Sequence, residues 1–272
     1  ADPDEIVFTS GGTESNNLAI RGTAATASPG RQRIVTTVLE HPATSAPCEH
    51  LGARGWTITR LPATPTGSID TATAAAAMGP DVALVTIMLA QNETGAILPV
   101  GDIAAHAHRA GAIVHTDAAQ AIGKIDVDVT NLDVDLLSIA GHKCYAPKGI
   151  GALYRRPGTP LNPVLLGAGQ EHGLRPGTEN VAGIVGLGAA CDLARSHLGD
   201  ETKQLACLRH TLWQLLNASI PGLFRHTPQD ALPTTLTVPC PGDPGRRVLA
   251  HSARLAAGGR CARRALRTGP AW

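Results

Sequence analysis

Aromatic residues are scarce in this chain. Phe, Trp and Tyr make up 3% of 272 residues, and there are two methionines. Core volume must therefore come from Ala, Val, Leu and Ile. Charge is also sparse, at 17%, and the net charge of +1 gives no global pull towards nucleic acid or a membrane surface. No apolar run approaches the length of a membrane span, and the opening ADPDEIVF lacks the shape of a signal peptide. The six cysteines (Cys48, Cys144, Cys191, Cys207, Cys240 and Cys261) form no CxxC pair, which argues against a zinc knuckle or a disulfide framework. A reducing cytoplasm is the simplest compartment. Neither a Walker loop nor a GxGxxG turn is present.

What is present is a globular composition, 43% hydrophobic, over a length that suits one large α/β domain or a domain and a half. Short apolar runs recur at Ile6–Phe8, Ile34–Thr36, Trp56–Ile58, Val82–Ile87, Ala112–His115, Leu136–Ile139 and Gly151–Tyr154, with Ala-rich helical stretches such as 100–110 between many of them. Strands that are apolar throughout, rather than alternating, predict a mostly parallel sheet covered on both faces, in a doubly wound α/β fold. Ligands of such sheets sit at the carboxyl ends of the strands, so the residues just after each run are the candidates for chemistry.

Several of those residues have chemical potential. TSGGTESNN follows the first run, and its Gly11-Gly12 turn opens a helix whose amides suit either a phosphate or an ordinary side-chain cap. His41 in LEHPA is either structural or a ring that stacks on a flat ligand. Gln91, Asn92 and Glu93 in QNETG either cap a helix or hydrogen-bond a ring substituent. Asp117, ahead of Gln120 in HTDAAQ, is either an N-cap or a carboxylate held against a protonated ring nitrogen. Lys143 in SIAGHKCYAPKG is either a surface charge or an amine that captures an aldehyde. Together, a phosphate cradle, a stacking ring, a carboxylate and a lysine fit pyridoxal 5′-phosphate (PLP).

TSGGTESNN, LEHPA, QNETG, HTDAAQ, GHK-x-YAPKGIGALY and GAGQEHGLRPGTEN closely resemble the cysteine desulfurases and their selenocysteine lyase relatives, which are class-V aminotransferase-like enzymes of PLP fold type I. The resemblance runs from about residue 5 to about residue 195. It implies a seven-stranded, mostly parallel large domain over residues 1–197 and a partial small domain over residues 198–272. It implies Lys143 as the Schiff-base lysine, with Lys148 as the nearby rival beyond the turn. His142 would contact the phosphate, Gly12 and Thr13 would cradle it, His41 would stack on the ring, Asp117 would meet the pyridine nitrogen, and Asn92 and Gln120 would meet the ring oxygen. Thr178 would reach the phosphate of a partner subunit, which implies a homodimer. The implied substrate is L-cysteine or selenocysteine. The implied sulfur acceptor is a protein such as an iron–sulfur scaffold.

The chain departs from that pattern in three places. The family's usual N-terminal segment and long helix are expected before this point, yet the chain opens on the first strand. Ala140 stands where many members carry a serine that donates to the phosphate, a loss of about one hydrogen bond. Beyond Asp243 the sequence drifts. Residues 244–272 hold seven arginines and no acid, which leaves 16 basic against 22 acidic residues elsewhere. This break reads as a changed frame or a foreign tail, and the alternative is a basic arm for nucleic acid or membrane. Cys261 has about the spacing from Thr178 expected of the catalytic cysteine, but its flanks differ. Cys144 is expected to be a packing residue, and Cys48, Cys191, Cys207 and Cys240 to be buried structural thiols. Two expectations follow: an active desulfurase, or a truncated, catalytically silent PLP-binding homologue or fragment that serves only as an interaction partner.

Overall fold

The structure, a computed structural model, describes residues 1–239. Seven strands form one sheet in the order β1-β7-β6-β5-β4-β2-β3. They are β1 (Ile6–Thr9), β2 (Arg33–Thr37), β3 (Thr57–Leu61), β4 (Val82–Met88), β5 (Ile113–Asp117), β6 (Leu136–Ala140) and β7 (Gly151–Arg155). Every run expected to be extended contributes a strand. The neighbours from β3 to β6 pair in parallel, and β7 runs antiparallel to both β6 and β1.

The central strands have no solvent face. All seven residues of β4 are buried, and four of five in β2 and β5, because helices cover both sides of the sheet. These helices are α1 (Gly12–Ala24), α2 (Pro42–Gly52), α3 (Thr71–Ala76), α4 (Val100–Arg109), α5 (Val129–Leu132) and α6 (Val181–Ser219). α4 shows how they dock. Val100, Ile103, Ala104 and Ala107 recur at three- and four-residue spacing and are all buried. Small residues keep these layers close, and the main core gathers Val35, Val85, Ile87, Val114 and Leu137 from four adjacent strands.

Crossovers return each parallel strand to the same edge. The ends of β1, β2, β4, β5 and β6 and the start of β7 therefore share one rim of the sheet: Thr9 pairs with Gly151, Ala140 with Gly151, and Met88 with Asp117. α6 is 39 residues long and carries the chain unbroken past residue 197, so a single helix joins the two units expected on either side of that position.

Candidate active site

At the rim, the β1–α1 turn lies against the end of β6. Gly11 adopts φ 152° and ψ 177°, a conformation open essentially to glycine alone. A Cβ on Gly12 would stand 3.0 Å from Ala140 Cβ, and one on Gly151 would stand 2.6 Å from Gly11 Cα. These contacts explain three small residues in sequence-distant positions: the start of a helix can approach the sheet this closely only without side chains. No side chain caps α1. Its first turn is thus an electropositive end available to an anion. Thr13 is exposed on that turn.

Asp117 closes β5 and is buried. Asn16, one turn into α1, donates through Nδ2 to Asp117 Oδ2 at 2.7 Å and to Thr44 Oγ1 at 3.2 Å, and the Ala119 amide donates to Asp117 Oδ1 at 2.9 Å. Burial raises the acid's pKa, while the Asn16 and Ala119 hydrogen bonds and the nearby His41 oppose the rise. Polar neighbours therefore hold a buried carboxylate that gains from any cation placed against it.

His41 follows β2 and is the N-cap of α2, where its Nδ1 accepts from the Ala43 amide at 3.1 Å. Just before it, Glu40 is buried, accepts from Thr37 Oγ1 at 2.8 Å and from the Met88 amide at 3.0 Å, and has its pKa pushed up to about 8, chiefly by burial. Neither Asn16 nor Glu40 was singled out in the sequence. The available signal was position alone: each lies in a strand-to-helix connection at the rim.

After β6 the chain makes one 3₁₀ turn, Gly141–Cys144, in which His142 and Lys143 are exposed while Gly141 and Cys144 are buried. Tyr145 ends the turn in the left-handed region at φ 66°. Gly141 cannot carry a side chain, since its Cβ would meet Ile150 O at 2.7 Å. The sharp turn presents Lys143 outward from the strand end. Lys148 is also exposed, beyond the turn.

Other expected residues are more loosely placed. Asn92 is half-buried after β4. Gln120 Oε1 accepts from Lys124 Nζ at 2.8 Å, so its oxygen is already engaged. The segment carrying Thr178 is tied beside the β1–α1 turn, through Arg175 Nε to Glu14 Oε1 at 3.0 Å and the Phe8 amide to Glu171 Oε2 at 2.8 Å, while Thr178 itself is exposed. Among the cysteines expected to be buried, Cys48 is buried, Cys191 is half-buried and Cys207 is exposed, which corrects the expectation for Cys207. Cys240 and Cys261 lie outside the described residues.

Residues 1–266 match the aminotransferase class-V family. The chain belongs to that family. It is 46% identical over 236 residues to a cysteine desulfurase of Cereibacter sphaeroides, a stretch covering 86% of this chain and 60% of that protein. Among solved structures, a NifS-like protein superposes with a TM-score of 0.89 at 36% identity, covering 93% of this chain and 70% of that one. SspA in complex with cysteine superposes with a TM-score of 0.80 at 36% identity, covering 94% and 71%. The chain spans about three fifths of the length of the curated relatives it matches. The class-V aminotransferases and cysteine desulfurases are PLP-dependent.

The rim fits such a cofactor. PLP requires an anion seat, a carboxylate for its ring nitrogen and an amine for its aldehyde. The uncapped start of α1, buried Asp117 and outward-facing Lys143 are groups of those three kinds, all on connections leaving one edge of the sheet.

Proposed function

We propose that this chain is the PLP-binding body of a cysteine desulfurase that releases sulfur from L-cysteine, giving L-alanine and an enzyme persulfide. The observation that carries this reading is Asp117, a carboxylate buried at the end of β5 and gripped by Asn16 from α1, the helix whose start lies against the strand that leads to Lys143. A burial this costly is accounted for by a cationic partner.

In this reading Gly12, Thr13 and His142 hold the phosphate, His41 lies against the ring, and Asn92 and Gln120 serve its oxygen. For Gln120 this requires sharing with, or release from, Lys124. Bound PLP supplies an electron-withdrawing ring that makes the substrate's Cα proton acidic. Lys143 would be the amine that holds the cofactor's aldehyde and the base placed to take that proton. Asp117 holds the ring nitrogen's positive charge in place. A cysteine thiolate then attacks the substrate sulfur; Cys261 is the residue we assign, on its spacing from Thr178.

The same reading makes the working unit a homodimer, with Thr178 reaching the partner's phosphate. Exposed apolar side chains at the start of α6, Val181 and Val185, together with Leu166 and Tyr145, support it. The persulfide sulfur would pass to an acceptor protein such as an iron–sulfur scaffold. Selenocysteine is the alternative substrate. We place the protein in the cytoplasm: four free cysteines among the described residues suit a reducing compartment, and no described helix is long and apolar enough to cross a membrane.

The test is borohydride reduction of the chain with PLP, followed by peptide mapping. The expected adduct is on Lys143 and is lost in Lys143→Ala. An adduct that survives this substitution and maps to Lys148 overturns the assignment. An adduct without alanine or persulfide formation from cysteine would favour the silent, PLP-binding homologue.

A further inference from the structure

Two thiols meet behind the Lys143 turn. Cys144, the last residue of that turn, is buried in a small apolar cluster with Ala146, Ile150, Ala152, Leu187 and Ala190, and Cys191 packs against the same cluster from α6. The approach is close over more than one helical turn of α6. A Cβ on Gly186 would stand 2.7 Å from Pro147 Cγ, and a Cβ on Gly123 would stand within 3.4 Å of both Ala194 Cβ and Cys144 Cβ. The Cys144 and Cys191 side chains are near enough for each to influence the other's ionisation.

We propose that Cys144 and Cys191 form a redox-modifiable dithiol, which a peroxide converts to a disulfide that staples the turn carrying Lys143 to α6.

The environment divides the roles. The neighbouring Cys191 thiol favours the Cys144 thiolate, and the Ala146 and Cys144 amides and the Lys124 charge act in the same direction against the opposing effect of burial. The Cys144 neighbour, and burial, hold Cys191 protonated. As a neutral thiol, Cys144 Sγ donates to Gly141 O at 3.2 Å; ionisation gives up that bond and keeps the others. In this proposal Cys144 is the attacking sulfur and Cys191, the less buried thiol, the resolving one.

The chemistry balances with hydrogen peroxide as the oxidant. The Cys144 thiolate attacks one peroxide oxygen, the O–O bond breaks, and hydroxide leaves and is protonated to water. Cys144 is then a sulfenic acid. The Cys191 sulfur, giving up its proton, attacks the Cys144 sulfur; the S–O bond breaks and a second water leaves. Two thiols lose two electrons in total, and one peroxide gains them.

The experiment uses the full chain without added cofactor, so that failure of the PLP reading would leave its outcome unaffected. Protein treated with hydrogen peroxide is quenched with N-ethylmaleimide, digested without reduction and mapped by mass spectrometry. The expected result is a crosslinked peptide pair joining Cys144 to Cys191, reversed by dithiothreitol, with both residues escaping alkylation. In Cys191→Ser the crosslink is lost and Cys144 proceeds to the sulfinic acid, having no resolving partner. Wild-type protein in which Cys144 goes directly to the sulfinic acid, or in which both residues are alkylated while Cys207 is oxidised instead, overturns the proposal. The wild-type map alone decides the matter, should a variant fail to fold.

Discussion

Asn16 Nδ2 lies 2.7 Å from Asp117 Oδ2, joining the second turn of α1 to the end of β5 across 101 residues of sequence. Both residues are buried, and Asn16 Oδ1 has no hydrogen-bond partner among the described residues. The amide is thus committed to orienting the carboxylate. Removing the carboxylate should do more than removing its support. Asp117→Asn is expected to slow α-proton exchange of a bound amino acid by about 10- to 1000-fold, the range that follows from losing a close charge partner worth ~1–3 pKa units. Asn16→Ala removes a buried donor, at about 1–3 kcal/mol. It should shift the pH profile of the same exchange upward rather than abolish it, because Asp117 then ionises at higher pH. Exchange measured by proton NMR across pH distinguishes the two variants. Equal effects would show that Asn16 does more than orient.

Glu40 predicts an unusual pH dependence of stability. Its folded pKa of about 8 lies above the ordinary carboxylate value of 4.5, so the folded state holds a proton that the unfolded state has released. The resulting stability is fully present below pH ~4.5 and is lost as pH rises through about 8, at no more than ~1.4 kcal/mol per pH unit. Buried His115 acts in the opposite sense. Burial lowers its pKa from 6.5 to about 3, so its stabilising effect is lost as pH falls from 6.5. The two trends oppose each other between pH ~4.5 and ~6.5, Glu40 sets the slope from there to about 7, and above that the Cys144 thiol, lowered to about 7, opposes it. Urea denaturation of the cofactor-free chain should therefore show stability falling from pH ~6.5 to ~7, and Glu40→Gln should flatten that limb. A Glu40→Gln chain with the original slope would locate the titration elsewhere.

The sheet and the rim were legible because apolar runs with no polar alternation can only be strands buried on both faces, and their ends then fall on one edge. The places of Gly12, His41, Asp117 and Lys143 at the rim follow from that geometry, while the roles assigned to them rest on the family resemblance. Asn16 was not legible: beside Asn17, in the same helix turn, it reads as a polar surface residue, and only the seating of α1 on β6 buries one and leaves the other half-exposed. Glu40 reads as a surface acid for the same reason. The thiols of α6 were read alike, but the helix buries only Gly183, Leu187 and Ala190 along one stripe, so Cys191 flanks that stripe and Cys207, several turns on, faces solvent.

Assembly can be tested at the start of α6. Val181 and Val185 are 65% and 66% exposed, one helical turn apart, next to the loop that carries Thr178. Val185→Glu would place a charge in an interface built on that face, and sedimentation should report a shift from dimer to monomer. Thr178→Val should leave the dimer intact and weaken PLP binding by about 10- to 150-fold, one hydrogen bond to a charged group being worth ~1.5–3 kcal/mol. A monomeric wild-type chain that binds PLP at full strength would contradict the shared site.

The final prediction concerns the nucleophile. The attacking sulfur must be accessible, ionised and able to come within ~3–3.5 Å of the substrate sulfur, because small misplacements cost orders of magnitude in rate. The described thiols do not meet these demands together. Burial pushes the Cys48 thiol up to about 12, and Cys191 is held protonated by Cys144. Cys144 favours the thiolate but is buried against α6, its sulfur engaged by Gly141 O and Cys191. Cys207 is exposed but fixed in the middle of a 39-residue helix. The nucleophile should therefore come from beyond residue 239, and spacing favours Cys261 over Cys240. Because the residues flanking Cys261 differ from those of the resembling family, and Arg263, Arg264 and Arg267 stand too close to it in sequence to hold the substrate carboxylate, turnover should be poor relative to PLP binding. Alanine and persulfide formation should disappear in Cys261→Ser and persist in Cys144→Ser and Cys207→Ser. Turnover that survives in Cys261→Ser and is lost in Cys144→Ser would mean that the turn behind Lys143 opens during catalysis and turns its sulfur towards the substrate.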